Sequence, residues 1–232
     1  MFQTNPFLLI TLFIGLSLLP FVAMIATSYL KIVVVMSLIR NALGIQSIPP
    51  NMVINALAMI LTFYIMAPVM NDSWEIAKRE LASPTQTEAA VAANTSSSES
   101  VFLETEAVAK AAEPFREFLS KHTSDRERAF FVHTAERLWG NGPDEPASVD
   151  TESFYILIPS FCVSELTKAF QIGFLVYLPF IAIDIIVSNI LLAMGMMMVS
   201  PVTISLPFKL LLFVMVNGWT LLIQGLVRGY LL

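Results

Sequence analysis

The chain has 232 residues, 56% of them hydrophobic, 13% charged, with a formal net charge of −5 and a mean hydropathy of +0.73. Such a composition describes an integral membrane protein, not a soluble enzyme domain. It carries no basic patch interleaved with aromatics, so no nucleic-acid partner is expected.

The charge is unevenly spread. Residues 71–153 hold 16 of the 18 acidic and 8 of the 13 basic residues. The chain is therefore an apolar scaffold interrupted by one acidic polar segment. Three regions follow: residues 1–70 with the first apolar helices, the external segment 71–153, and residues 154–232 with the last apolar helices. Residues 1–6 lack Lys and Arg, and no small-residue cleavage site follows. The first apolar run is thus expected to stay in the mature protein.

Four apolar blocks stand out, at residues 7–38, 51–70, 154–199 and 201–227. The second would be about 30 Å long as a helix, the thickness of a bilayer core. The first would be roughly 48 Å if straight, and the third is longer still. Pro20 and Pro179 lie inside these two blocks, where a proline removes a backbone hydrogen bond and kinks a helix. Bent or broken helices packed on other protein are expected, not four straight spans. Lys31 and Arg40 flank the turn at residues 44–50. By the positive-inside tendency this turn and the loop near residue 195 face the cytoplasm. Both termini and the acidic segment then face outward.

Within the acidic segment, residues 82–100 (ASPTQTEAAVAANTSSSES) read as a flexible linker too polar and small to fold alone. Phe115, Phe118, Leu119 and His122 then recur at helical spacing. Ser124 with Glu127 makes a capping-box pattern opening a second helix, with Phe131, Ala135 and Leu138 on one face and a stop at Gly140-Asn141-Gly142-Pro143. Two short amphipathic helices with solvated charges are expected. His122 and His133, the only histidines, read as solvated or capping side chains. The lone Cys162 reads as a small buried hydrophobe. No zinc motif, nucleophile elbow, Walker loop or dinucleotide fingerprint occurs. No catalytic residue, metal or cofactor is expected, and any nucleotide-driven step falls to a partner.

From Pro159 to Trp219 the only charged residues are Glu165, Lys168, Asp184 and Lys209. A charge in the middle of a membrane helix costs about 2.5–3.5 kcal/mol on insertion scales, so it needs a partner or a water path. Glu165 and Lys168 are three apart and can neutralise each other on one helical face. Asp184 and Lys209 have no such neighbour and each needs a tertiary partner, an adjacent subunit or water. A charge pair fixing packed helices is the preferred reading, and a proton or ion relay the other. Met196, Met197 and Met198 follow Gly195 and precede Ser200-Pro201, at a helix end or loop. Consecutive residues cannot all face one core, so either packing or a deformable seal of flexible thioethers is open.

Three stretches resemble the FliP/SctR family of type III secretion export-apparatus proteins: RNALGIQSIPPN at 40–51, PSFCVSELTKAFQIGF at 159–174 and PFKLLLFVMVNGW at 207–219. With the methionine loop, the resemblance covers nearly the whole chain outside the linker, and it looks more like the injectisome branch than the flagellar one. It implies an all-α protein of bent helical hairpins, five copies assembling with a small two-helix subunit and one related larger subunit. Other export-apparatus and basal-body proteins, secreted protein substrates and membrane lipid are the further partners implied. The assembly would be a pore through which unfolded proteins cross the bacterial inner membrane. By resemblance Met196, Met197 and Met198 form a gasket closing that pore. Glu165, Lys168 and Lys209 fall in matching motifs consistent with inter-subunit contacts, and Asp184 lies between them. The rival readings are a proton-coupled secondary transporter using Asp184 and Lys209, for which the internal repeats of that class are not evident, and a purely structural nucleation subunit.

Overall fold

The structure is a computed structural model that describes residues 6–45, 48–82, 108–140 and 148–231. Most of the 82–100 linker and residues 141–143 of the proposed helix stop lie outside these. The described residues form eight principal helices and no strand: α1 (Pro6–Ile25), α2 (Tyr29–Ala42), α3 (Asn51–Ala82), α4 (Glu113–His122), α5 (Asp125–Trp139), α6 (Phe154–Ala193), α7 (Pro201–Met215) and α8 (Gly218–Arg228). The fold is all-α. Two helices, over Asn51–Glu80 and Phe154–Ala193, are long and apolar enough to cross a membrane. Two further helix pairs, Phe13–Ile25 with α2 bent by 55° and α7 with α8 bent by 59°, are each apolar enough for a broken span or a re-entrant loop. Bent and broken helices are thus present, as the block lengths demanded.

The breaks are not where the prolines suggested. Helix α1 runs through Pro20 and stops at residues 26–28. There the Thr27 hydroxyl donates to the Ala23 carbonyl at 2.5 Å, and a side chain that bonds the backbone in this way competes with helix propagation. Helix α6 continues for 40 residues, roughly 60 Å, through both Pro159 and Pro179. A proline deletes one ladder bond, and its neighbours carry the helix onward where the remaining bonds and packing hold it. Helix α3 also outlasts its apolar block, extending past Met70 to Ala82. The Glu75–Arg79 pair at 3.1 Å supports this polar extension.

The chain divides into two compact units, residues 1–65 with 162–232, and residues 66–161. In the first, α2 supplies the central core stripe. Ile32, Val35, Met36 and Ile39 are all fully buried, at the i, i+3, i+4, i+7 spacing that defines one helical face. Around them lie Ile54, Ala58, Ala169, Phe180, Phe213 and Leu226 from α3, α6, α7 and α8. Small residues let backbones approach closely. At Gly173 on α6 a Cβ would sit 2.3 Å from Leu38 Cδ1 of α2.

The second unit contains α4 and α5 at nearly the predicted positions. Phe118 and Leu119 are buried, and the Phe118 and Phe161 rings lie 5.8 Å apart. Arg128 of α5 donates to the Ser120 carbonyl of α4 at 2.5 Å. Two details differ from expectation. Helix α5 starts after Ser124 through its extended backbone, with no side-chain capping bond. Leu138 is exposed while Ala135 is buried. Of the two readings for His122 the capping one describes it: it is buried in the last turn of α4, its Nδ1 2.9 Å from the Phe118 carbonyl one turn back. His133 is exposed as expected.

Candidate functional site

Helices α6 and α7 make an antiparallel hairpin whose connection is the methionine loop. The turn begins as a consequence of one glycine. Gly195 has φ +74°, its amide donates to Leu192 O at 3.0 Å, and Met196 N donates to Leu191 O at 2.9 Å. This is the paired bonding of a left-handed helix C-cap, which satisfies the last carbonyls of α6. Ser200 then precedes α7, and Pro201 occupies its first turn, where a missing amide is tolerated. Between these two stops the side chains of Met196, Met197 and Met198 are 45%, 82% and 100% exposed. The loop therefore presents thioethers outward and buries none of the three within its own chain.

Asp184 and Lys209, each lacking a partner along its own helix, find one another across the hairpin. Lys209 Nζ lies 2.6 Å from Asp184 Oδ2. Ser205 donates its hydroxyl to Asp184 Oδ1 at 2.6 Å. Ser205 and Lys209 are one turn apart on α7, which aims both at one carboxylate. Lys209 and Ser205 are buried. Farther from the loop, Phe180 packs on Phe213 with ring centroids 6.4 Å apart. The ion pair and the aromatic pair share one register, centred at the Met196–Met197 peptide. Both arms thus run roughly 12–14 Å from the ion pair to the loop, so the staple sets how the loop is presented.

At the other end of α7 the chain turns sharply. Asn217 adopts the left-handed conformation at φ 52°, tolerated by asparagine better than by most residues. Gly218 follows, where a Cβ would meet the Phe213 ring at 2.2–2.7 Å. That ring cannot swing aside freely, because Trp219 packs edge-on against it at 5.4 Å. Helix propensity favours Ala over Gly by about 1 kcal/mol, yet overpacking of this kind costs about 1–3 kcal/mol. Gly218→Ala is therefore expected to lower the melting temperature of the purified protein; an unchanged or raised value would show that the elbow is loosely packed.

The second charged group forms around Glu165 of α6, which is fully buried. Lys168 lies 3.2 Å from Glu165 Oε1, the local pair the spacing predicted. It is only part of the arrangement. Lys31 of α2, 3% exposed, sits 3.0 Å from Glu165 Oε2. The Tyr230 hydroxyl donates to the same oxygen, and Lys31 Nζ stands 3.5 Å from the Tyr230 ring centroid. Lys31, Ser205 and Tyr230 were not singled out as partners from the sequence. A lysine inside an apolar block was the available signal for Lys31. Nothing in local spacing marks the other two.

Arg40 donates to the Pro49 carbonyl at 3.4 Å and to the Asn51 side chain, which ties the ends of the RNALGIQSIPPN stretch together. Residues 46 and 47 of that stretch lie outside the described residues. Cys162 is only partly buried, its thiol 3.6 Å from the Ile25 carbonyl. Among the described residues no group of three or more His, Cys, Asp or Glu is placed to hold a metal ion. The described residues thus hold two neutralising polar clusters, one of them at the base of a protruding apolar loop.

Comparison with known proteins places the chain in a family. The FliP family model matches residues 12–226. The chain is 51% identical over 216 residues to "Yop proteins translocation protein R" of Yersinia pestis, covering 93% of this chain and 92% of that protein. It is 45% identical over 222 residues to "Hypersensitivity response secretion protein HrcR" of Ralstonia nicotianae, covering 96% of each. "Flagellar biosynthetic protein FliP" of Bacillus subtilis matches at 40% over 223 residues, covering 96% of this chain and 90% of that one. Injectisome-type relatives stand at higher identity than the flagellar one. By the extent of the family match and the level of these identities, the chain belongs to the FliP family of type III secretion export-apparatus proteins, which are structural components and not enzymes.

Proposed function

We propose that this chain is the core pore-forming subunit of a type III export gate, passing unfolded proteins across the bacterial inner membrane. The observation that carries this reading is the outward-facing methionine loop, with Met196 45% and Met198 100% exposed, at the closed end of a stapled hairpin. Three flexible, polarizable side chains held outward suit a seal that packs against copies of itself when shut and rearranges around varied cargo. The Asp184–Lys209 pair gives the loop a stiff base, and the seal itself needs no covalent chemistry.

In this reading five copies bring their loops together, joined by the small two-helix subunit and the larger related subunit, and the remaining export-apparatus and basal-body proteins surround them. Glu165, Lys168, Asp184 and Lys209 serve assembly by fixing the shape of each protomer, since each has a partner within the chain. Residues 71–153, with α4 and α5, form an acidic segment on the periplasmic side. Motive force comes from an associated ATPase and the proton gradient. Replacing Met196, Met197 and Met198 together with alanine is expected to raise ion leakage across membranes holding the assembled complex. Unchanged conductance at wild-type complex levels would overturn the gasket.

A further inference from the structure

We propose that Tyr230 is a positioning residue that keys the end of α8 into the buried Lys31–Glu165 pair, and so holds α7, α8 and the methionine loop as one body on α2 and α6. Its importance for sealing rests on the gate reading above; the anchoring itself does not.

The geometry is specific to this side chain. Tyr230 is itself 7% exposed and lies just beyond α8, which ends at Arg228. Its hydroxyl donates to Glu165 Oε2, the oxygen already 3.0 Å from Lys31. Its ring takes the Lys31 ammonium at 3.5 Å from the centroid, a desolvated cation–π contact. One residue thus serves both members of an ion pair, supplying a donor to the acid and a π face to the base. If the end of α8 leaves, a fully buried carboxylate loses a donor and a nearly fully buried ammonium loses its aromatic face. Polar groups left short of partners in a low-dielectric interior are costly, so departure is opposed from both sides of the pair.

The constraint runs back along the chain through packed aromatics. Leu226 anchors the last turn of α8 in the core. Trp219 at its start packs edge-on against Phe213 of α7, Phe213 faces Phe180 of α6, and Lys209 closes on Asp184 nearer the loop. Tyr230 fastens the end of this series just beyond α8.

Hydrogen exchange on the detergent-purified complex tests this, comparing wild type with Tyr230→Leu and Tyr230→Phe. Losing a hydrogen bond to a charged acceptor should speed exchange on the order of ten-fold or more. In Tyr230→Leu this acceleration is expected throughout α8 and α7 and into the methionine loop. Tyr230→Phe, which keeps the ring over Lys31, should fall between. Exchange that changes only at residues 228–231, or not at all, would overturn the proposal. If Tyr230→Leu prevents assembly, Tyr230→Phe decides alone: faster α7 and α8 amides support the anchor and wild-type amides sink it. Conductance separates the two readings. Loosened α7 and α8 beside an unaltered leak in the methionine-to-alanine protein would retire the gasket and keep the anchor. A leaking alanine protein beside wild-type exchange in both tyrosine variants would do the opposite.

Discussion

Glu165→Gln is expected to be among the most damaging single substitutions in this chain, reducing stability by about 3–5 kcal/mol, the range for breaking a buried ion pair from one side. The amide keeps the shape of the carboxylate but not its charge. Lys31, 3% exposed, would then hold an ammonium in an apolar unit without a counter-ion. Lys168 is 40% exposed and can carry its charge outward along its flexible stem, so Lys31 dominates the loss. Since whole domains are stable by only about 5–15 kcal/mol, little assembled protein should be recovered. Replacing both members of a buried pair with uncharged residues of similar volume is often nearly neutral. Lys31→Met combined with Glu165→Gln should therefore recover much of the yield. Native mass spectrometry of the complex reads both. A double variant as poor as the single one would mean that Glu165 matters for something other than neutralising Lys31.

The second large effect should come from Asp184, and it should be asymmetric. Asp184→Asn leaves Lys209, 5% exposed, without its carboxylate, again in the range of about 3–5 kcal/mol. Lys209→Met leaves Asp184, 34% exposed, with the Ser205 hydroxyl still donating to it. That loss should be nearer 1–3 kcal/mol, as for losing one hydrogen bond to a charged, part-exposed acceptor. Both substitutions free the two arms of the hairpin beneath the methionine loop, so ion leakage should rise in whatever complex survives. Assembly and conductance measured together decide between this account and solute transport. A transporter using Asp184 for protons would assemble normally as Asp184→Asn and lose only its transport. Equal losses from the two single variants would contradict the difference in burial.

Much of this protein is readable in its residues because hydropathy and helical periodicity are local. The apolar blocks, the amphipathic α4 and α5 and the position of the methionine loop at a helix end all follow from residues within a few turns of one another. So does the need of Asp184 and Lys209 for tertiary partners, since a charge in an apolar run is expensive wherever it sits. The three motif stretches also carried the family, through long strings of particular residues and not through any one of them. Hydropathy, however, marks where lipid could end and not where a helix does. Helix α3 passes Met70 into polar residues because its backbone bonds and the Glu75–Arg79 pair are indifferent to that boundary.

Proline does not mark a helix end here, for a related reason. A proline removes one bond from a ladder, and whether the helix breaks depends on what packs around it. Helix α6 continues through Pro179, while α1 stops beside Thr27. Which charge meets which was likewise settled only in three dimensions. Glu165 has Lys168 three residues away, yet its buried partners Lys31 and Tyr230 arrive from distant helices. Asp184 and Lys209 meet because the left-handed turn at Gly195 folds α7 back along α6 in a single register. The cost of burying a charge is a property of each residue and its immediate neighbours, so the chain displays it openly. The partner that offsets the cost depends on how helices cross, and that is decided by side-chain shape across the whole core.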